Sequence, residues 1–263
     1  MMAIQRRKPA DEWSKTIVEF QSPHKLRELC ITQRDVPDGV KNIAAEQQKF
    51  KIRLATSDDR AQSASLLIQK MYSWRGYDAA ALQRDPNRVT LLAFDQDIIV
   101  GTLTLGLDSP VGLLVDDLYK PEVDVLRAEG RKVCELTKLA VDESVKSKQV
   151  LASLFHIAYI YGHNIHHGTD FVIEVNPRHV QFYKRMLGFN HYGPERHCER
   201  VRAPAALLRL ELDYAEREIR RLGGIKNDVV NEKSLYPYFF TKQDELGITA
   251  RLQRGDNLAP DNK

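Results

Sequence analysis

One carboxylate in the sequence stands where a proton acceptor could be made. Glu135 lies in KVCELTKLAV, residues 132–141, an apolar run typical of a buried strand. Burial disfavours the charged form of a carboxylate, so we expect a pKa for Glu135 raised toward neutrality, as a general base requires. The alternative role of Glu135 is structural, an ion pair with Lys138 or with a neighbouring arginine.

Two further charged residues accompany Glu135. Glu174 lies in FVIEV, residues 171–175, another apolar strand, where it either lines a substrate cleft or pairs with a basic residue. Lys138 is three positions from Glu135, and strict alternation along a strand would put the two on opposite faces. A β-bulge between them would bring both side chains to one site.

The hydrophobic pattern predicts the elements that must hold these residues. Residues 50–55, FKIRLA, alternate as a strand does, and capping residues then start a helix. Residues 89–95 and 98–107 are typical of a β-hairpin. Two strand-to-helix units follow, and residues 206–223 form a last strand and a charged helix. The order predicts an α/β fold with a mixed sheet; residues 117–129 are assigned no element.

The spacing after the strand at 171–175 is more specific. Asn176-Pro177 suits a helix start, because asparagine caps well and proline is tolerated at the first helical position, and Gly188 suits the helix end. The order Asn176, Tyr183, Gly188-Phe189 resembles the GNAT acyltransferase pattern, in which Asn ends a central strand and Tyr lies on the next helix.

A second resemblance is carried by Glu135-Leu-Thr-Lys138-Leu-Ala-Val141. It is similar to the Glu-x-Ser-Arg-Phe-x-Val strand of acyl-homoserine-lactone synthases, although Lys138 stands where those enzymes have arginine. The stretch from Cys134 to Leu210 resembles the long-chain N-acyl amino acid synthases of the N-acyltyrosine type. This resemblance implies a GNAT-like mixed, mostly antiparallel sheet flanked by helices, with a β-bulge on the Glu135 strand.

The resemblance divides the chain into three parts. Residues 1–49 form an N-terminal extension with room for one helix, and residues 50–212 form the acyltransferase domain. Residues 213–263 form a C-terminal helix and a tail whose apolar cluster LYPYFF, residues 235–240, is expected to dock on the domain.

The resemblance also implies a reaction. A medium or long fatty acyl group moves from acyl carrier protein to the amino group of a free amino acid, by direct attack on the thioester. Glu135 is then the base, and Tyr183 is the acid that protonates the departing thiolate. Cys134 has no adjacent histidine in sequence, so we expect a buried cysteine rather than a nucleophile.

The choice of donor depends on the loop ESVKSKQVL, residues 143–151. GNAT enzymes usually have glycine there, because glycine amides approach the pyrophosphate of coenzyme A closely. This loop has none, which favours acyl carrier protein as the acyl-phosphopantetheine donor over acyl-CoA, with no permanently bound cofactor. The residues expected near the donor arm are Lys146, Ser147, Lys148, Asn176 and Arg178. With Lys184 and Arg185 they form a basic patch suited to an acidic carrier protein, although solvated helix-end charges and an N-cap are the alternative roles.

The substrate-binding candidates are assigned by residue type. Tyr72 and Trp74 are available to line an apolar acyl slot, and Arg75 suits a bidentate contact with the carboxylate of the acceptor. Core packing is the alternative role of the aromatic residues. The full set of candidates is Lys138, Glu174, Arg75, Trp74 and Tyr72.

Composition argues against several classes of function. The 39 Lys and Arg barely exceed the 36 Asp and Glu, so net charge gives no reason to expect nucleic acid as a partner. The three cysteines form neither a disulfide framework nor a metal pair, and His163, His166 and His167 lack a further ligand, so no metal is expected. With no apolar signal segment or membrane span, we expect a cytoplasmic protein that touches membranes only transiently, through its lipid product.

Two other functions stay open. An acetyl-CoA-dependent N-acetyltransferase of a small amine or protein shares the fold but should carry a glycine-bearing phosphate loop. A noncatalytic GNAT-like module that senses a ligand would tolerate loss of Glu135. The presence of a candidate base together with a candidate acid favours an enzyme.

Overall fold

The computed structural model describes residues 16–22, 48–55, 58–73, 85–95, 97–142, 148–225 and 232–256. The strands are β1 (Thr16–Ser22), β2 (Gln48–Leu54), β3 (Arg88–Asp95), β4 (Ile98–Leu107), β5 (Val133–Val141), β6 (Asp170–Val175), β7 (Asn190–His191), β8 (Arg196–Cys198) and β9 (Ala203–Glu211). The α-helices are α1 (Asp58–Ser73), α2 (Asp116–Ala128), α3 (Lys148–Tyr159), α4 (Val180–Leu187), α5 (Leu212–Leu222) and α6 (Lys242–Asp256). A π-helical segment, Ile160–Ile165, extends α3.

The strands form one sheet in the order β1-β2-β3-β4-β5-β6-β9-β7, and β8 pairs with β9. Among the described strands, β5 and β6 are the one parallel pair, and the other neighbours are antiparallel. The predicted α/β fold with a mixed, mostly antiparallel sheet is therefore confirmed.

Helices cover both faces of the sheet. Val133 and Val172 pack against Val123 of α2, so the face that carries α1 and α2 is called the α2 face. Cys134 follows Val133, and Phe171 precedes Val172. Both belong to the larger core beneath α3 to α6, on the opposite face of the sheet, which is called the α3 face. Alternation along β5 and β6 thus sends neighbouring side chains into two separate cores.

Strand β5 contains the bulge that the resemblance implies. Thr137 pairs with Thr104 and Ala140 with Thr102, so β5 has one more residue than β4 across this interval. Lys138 has a φ of 53°, and the hydroxyl of Thr102 donates to its carbonyl oxygen at 2.7 Å. The bulge is therefore confirmed and lies at Lys138, whose carbonyl is bonded by the Thr102 side chain where the ladder is interrupted.

The turn from β6 into α4 has the predicted caps. The Asn176 side chain accepts a hydrogen bond from the N–H of Arg178 at 3.1 Å, and Pro177 occupies the first helical position. Gly188 ends α4 with a φ of 82°, a left-handed conformation that glycine adopts without strain.

Helix α2 occupies the segment that the sequence analysis left unassigned. This helix contains Pro121, and a proline in a helix interior removes a backbone hydrogen bond. The backbone kinks at Tyr119, whose φ of −126° is not helical, so Pro121 comes at the start of a new helical stretch where proline is tolerated. The kinked helix still buries Tyr119, Val123 and Leu126 against the sheet.

The two extensions differ from each other. Residues 16–22 form β1, which pairs with β2, so the expectation of a helix in the N-terminal extension is wrong for this segment. Its β-branched residues find backbone partners at the edge of the sheet; the rest of residues 1–47 lies outside the described residues. In the C-terminal tail, Leu235, Tyr236, Phe239 and Phe240 are buried in the α3-face core, so the expected docking is observed.

Candidate active site

A gap between β5 and β6 is the centre of the candidate site. The two strands pair only at Val133↔Asp170, Cys134↔Phe171 and Glu135↔Val172. Beyond these pairs β5 continues alongside β4 and β6 continues alongside β9, without bonds to each other. The two strands therefore separate beyond Glu135 and Val172.

Glu135 lies at the point where the strands part. Its side chain is on the α2 face and the residue is only 1% exposed. Its Oε2 accepts a hydrogen bond from the N–H of Leu114 at 2.9 Å, whereas Oε1 is buried without a hydrogen-bond partner among the described residues. Burial raises its pKa to about 7, opposed by the Leu114 hydrogen bond and the charges of Arg88 and Arg200. A carboxyl group with this pKa can accept a proton near neutral pH.

Lys138 shares the electrostatic environment of Glu135. Burial lowers the pKa of its ammonium group, and so do the charges of Arg88 and Arg200, the same two guanidinium groups that act on Glu135. Leu136 and Leu139 both pack into the α3-face core, which the bulge allows although they are three residues apart. The bulge thus lets Lys138 join Glu135 instead of facing the opposite core.

Glu174 is held by Arg200, which the sequence analysis did not identify. Arg200 Nη2 donates to Glu174 Oε1 at 2.9 Å, and its Nη1 reaches Asp117 Oδ2 at 3.2 Å and the Leu114 carbonyl at 3.3 Å. Glu174 Oε2 is buried without a hydrogen-bond partner in the described part of the chain. Arg200 lies in the turn between β8 and β9, in a polar stretch with no motif, so only the tertiary structure reveals it.

Tyr183 lies on the opposite face of the sheet from Glu135. Its ring makes edge contacts with Phe155 and Phe189, with centroids 6.5 Å and 5.9 Å apart, in the α3-face core. The structure therefore does not bring the two side chains together on one face. Any group that contacts both must pass through the gap between β5 and β6.

Three of the predicted donor-binding residues are described. Asn176 caps the short 3-10 turn Pro177–His179 that leads into α4, and its Nδ2 also donates to the Pro204 carbonyl at 3.3 Å. Arg178 is exposed beside it, and Lys148 starts α3, with its Nζ 5.4 Å from the centre of the Tyr238 ring. These residues flank the same end of the sheet, and Lys184 and Arg185 are exposed on α4.

The other predicted donor-binding and substrate-binding residues include four that the structure does not describe. Lys146, Ser147, Trp74 and Arg75 lie outside the described residues. Tyr72 packs against a small cluster of α1 with Ala140 on the α2 face. That position is across the sheet from the aromatic core around Tyr183.

A small apolar cavity of about 10 Å³, room for about one water molecule, lies next to Tyr183 on the α3 face. Its walls include two residues that contact the Tyr183 ring, and its far side is closed by the C-terminal tail. The lining includes Phe155, Phe171, Phe189, Leu210, Tyr236 and Phe239. The two faces of the gap therefore differ chemically: carboxylates and cations on the α2 face, aromatic rings on the α3 face.

The described residues contain no group of three or more His, Cys, Asp and Glu side chains arranged to hold a metal ion. Across the same part of the chain, no helix combines the length and the apolar character needed to cross a membrane.

Comparison with known proteins identifies one matching family and a related solved structure. A family profile described as "N-acyl amino acid synthase FeeM" matches residues 63–211. The solved structure of FeeM, an N-acyl amino acid synthase from uncultured soil microbes, aligns with a TM-score of 0.61 and 25% identity, covering 65% of this chain and 96% of that one. No curated protein sequence matches.

Two other solved structures are more distant. The acyl-homoserine-lactone synthase LasI aligns with a TM-score of 0.46 and 15% identity, covering 62% of this chain and 91% of that one. A GNAT-family acetyltransferase from Streptococcus pneumoniae aligns with a TM-score of 0.45 and 14% identity, covering 62% and 98%.

Proposed function

This chain belongs to the family of the N-acyl amino acid synthase FeeM and is an N-acyltransferase, and on that premise we propose that it transfers a medium or long fatty acyl group from acyl carrier protein to the amino group of a free amino acid. The observation that carries the proposal is Glu135, a fully buried carboxyl group with a pKa of about 7 where two strands part.

In the proposed reaction the donor arm enters the gap between β5 and β6. Glu135 takes a proton from the acceptor ammonium, and the neutral nitrogen attacks the thioester carbonyl carbon. The new C–N bond forms, the C–S bond breaks, and the attacking nitrogen releases its second proton to solvent, where the proton held by Glu135 also goes. Tyr183 donates a proton to the departing thiolate from the α3 side and takes one back from solvent, so the net products are an amide, a thiol and one proton.

The two faces supply the two substrates in this proposal. The acyl chain extends from the gap toward the aromatic α3 face beside Tyr183, because an apolar chain gains from leaving water. The amino acid binds on the α2 face, where Lys138 contacts its carboxylate and Glu174 lines the site. The protein would then keep the lipid and the charged acceptor on opposite sides of one sheet.

The donor is proposed to be acyl carrier protein rather than acyl-CoA. The loop at residues 143–151 has no glycine with which to approach a pyrophosphate. Lys148, Arg178, Lys184 and Arg185 offer cations to an acidic protein surface. We propose that this reaction takes place in the cytoplasm, where acyl carrier protein is available.

The experiment supplies purified protein with one acyl chain on either of two donors, acyl carrier protein or coenzyme A, together with each of the twenty amino acids. Mass spectrometry of the extracts should show an amide-linked acyl amino acid with the carrier-protein donor. Product from acetyl-CoA alone would instead identify a short-chain acetyltransferase. No product from any donor with folded protein would refute the proposed function.

Charge reversal tests the donor surface separately. Lys184→Glu with Arg185→Glu should raise the KM for acyl carrier protein about tenfold and leave the KM for the amino acid unchanged, because only the protein donor needs the basic patch. Glu211→Gln, a change at an exposed carboxylate on β9, is the control and should leave both unchanged.

A further inference from the structure

Two buried carboxylate oxygens face the α2 side of the gap without partners. They are Glu135 Oε1 and Glu174 Oε2, and no described residue donates a hydrogen bond to either. Glu135 is 1% exposed, and the Glu174 side chain is 8% exposed. A buried acceptor without a donor costs free energy, so an oxygen left in this state in a folded protein calls for a ligand or a water molecule.

The two carboxylates are neighbours in the sheet. Glu135 pairs with Val172, and Glu174 is two residues further along β6, on the same face as Val172. The charge of Glu174 is one of the contributions that raise the pKa of Glu135, after its burial. Two adjacent negative groups with free oxygens favour a cation between them.

The protein fixes one oxygen of each carboxylate and leaves the other free. Leu114 connects the two: its N–H donates to Glu135 Oε2, and its carbonyl accepts from Arg200, which holds Glu174 Oε1. Cys198 lies beside Glu174, and burial together with this carboxylate raises the pKa of its thiol. Glu174 Oε2 itself has no hydrogen-bond partner among the described residues. The free oxygens are therefore oriented by contacts on their partner oxygens.

We infer that Glu135 Oε1 and Glu174 Oε2 together bind the ammonium group of the acceptor, and that Arg200 is a positioning residue that holds Glu174 for this task. A primary ammonium has three N–H donors, so it can donate one hydrogen bond to each of the two oxygens. The inference rests on the proposed function. Glu135 then removes one proton, and Arg200 remains bound to Glu174.

The inference names the class of acceptor that the site selects. A primary amine that carries a positive charge in solution fits both oxygens. The isosteric hydroxy acid brings no cation and cannot donate to both, so its binding leaves a buried carboxylate oxygen unpaired. Discrimination against hydroxy acids should therefore depend on Glu174 as well as on the base.

The test measures KM and kcat for the acceptor and for the acyl donor separately. Glu174→Gln should raise the acceptor KM about 10- to 100-fold, the loss expected for one hydrogen bond to a charged group, with the donor KM unchanged. Arg200→Met should act in the same direction, and Arg200→Lys should recover part of the loss. A wild-type acceptor KM in folded Glu174→Gln protein would overturn the inference.

A matched control separates positioning from stability. Arg196 forms an ion pair with Glu122 and donates to the Leu118 carbonyl, so it also ties the β8 segment to α2, but it does not contact Glu174. Arg196→Met should lower the melting temperature as much as Arg200→Met and leave the acceptor KM unchanged. Equal increases in KM for the two variants would assign Arg200 a purely structural role.

Direct binding keeps the inference separate from the proposed function. Calorimetry with the free amino acid, without donor, should show binding to the wild type that Glu174→Gln weakens by the same factor, and Glu174→Asp serves if the glutamine variant does not fold. If no acyl amino acid is produced but primary amines bind in a Glu174-dependent manner, the proposed function fails and the ammonium site stands. If amine binding is indifferent to Glu174, the ammonium site fails whatever the activity.

Discussion

The two ends of the parallel pair β5–β6 treat buried carboxylates in opposite ways. At the start of β6, Asp170 is fully buried and accepts hydrogen bonds from Arg131, Arg209 and the hydroxyl of Thr169, which hold its pKa below the usual value. At the other end, Glu135 is equally buried, keeps one oxygen unpaired, and has its pKa raised to about 7.

This difference separates stability from reactivity within one pair of strands. Asp170 is saturated by donors, so it joins β6 to β9 and to the α2–β5 connection but has no capacity to take up a proton near neutrality. Glu135 accepts a hydrogen bond only from the Leu114 N–H among the described residues, so the free-energy cost of burying its charge is only partly offset. Its carboxylate is therefore able to take up a proton.

The largest expected effect is on catalysis. Glu135→Gln should lower kcat by about 10²- to 10⁴-fold, the usual contribution of a general base, while leaving the protein folded. Single-turnover transfer from a radiolabelled acyl donor measures the rate, and circular dichroism checks the fold. A glutamine variant with wild-type kcat would show that Glu135 is no more functional than Asp170.

A substitution of Asp170, at the other end of the β5–β6 pair, should affect stability rather than catalysis. Asp170→Asn should lower the free energy of unfolding by about 3 kcal/mol, because the guanidinium groups of Arg131 and Arg209 lose the anion that pairs with them. Urea denaturation measures the change. The kcat of the folded variant should stay within about twofold of the wild type, and a collapse of kcat would show that the two ends are coupled.

The dependence of stability on pH should also differ between the ends. The folded-state pKa of Glu135 lies above its unfolded value, so its contribution is present below about pH 4.5 and is lost as pH rises through about 7. The free energy of unfolding of Glu135→Gln relative to the wild type should therefore rise by about 3 kcal/mol between these pH values.

Asp170 has the opposite sign, because its folded-state pKa is lowered. Its contribution is present above the unfolded pKa and is lost only as pH falls below about 4. Denaturation curves of the two variants across pH 3 to 9 compare the groups directly. Parallel pH profiles for Glu135→Gln and the wild type would contradict the raised pKa.

The smallest effect concerns the bulge beside Glu135. Lys138 has a positive φ, which costs a non-glycine residue about 1 kcal/mol, so Lys138→Gly should stabilise the protein by up to that amount. The acceptor KM should rise because the side chain is lost. Arg202→Gly, at a φ of 50°, is the control that relieves similar strain without changing KM. A destabilised Lys138→Gly variant would mean that the side chain supports the bulge.

Local patterns predicted most of the fold. Alternating and continuous apolar runs give β2 to β6. The pair Asn176-Pro177 gives the start of the 3-10 turn that leads into α4, and Gly188 gives the end of α4, because these signals act over a few residues. Helix α2 was missed because residues 117–129 have a mixed composition, and the kink at Tyr119 that accommodates Pro121 is visible only in the structure. Strand β1 was missed because a short edge strand depends on its partner more than on its own pattern.

The site was predictable in part. Burial of Glu135 follows from the apolar residues around it in sequence, and the bulge at Lys138 came from the resemblance. Arg200 and Leu114 could not be predicted, because each lies in a connection with no periodicity and reaches the site only through tertiary contacts. The placement of Tyr183 on the other face follows from the path of α4, which the spacing alone does not fix.

The docked tail has a practical meaning for anyone who trims this chain. The stretch that matches the family profile ends at residue 211, whereas Tyr236 and Phe239 beyond it close the aromatic cavity, and the Tyr236 hydroxyl donates to the Leu187 carbonyl. A gene cut at the homology boundary would encode a protein with Phe155, Phe171 and Phe189 open to water. Such a product should aggregate, so the catalytic unit to express extends through α6.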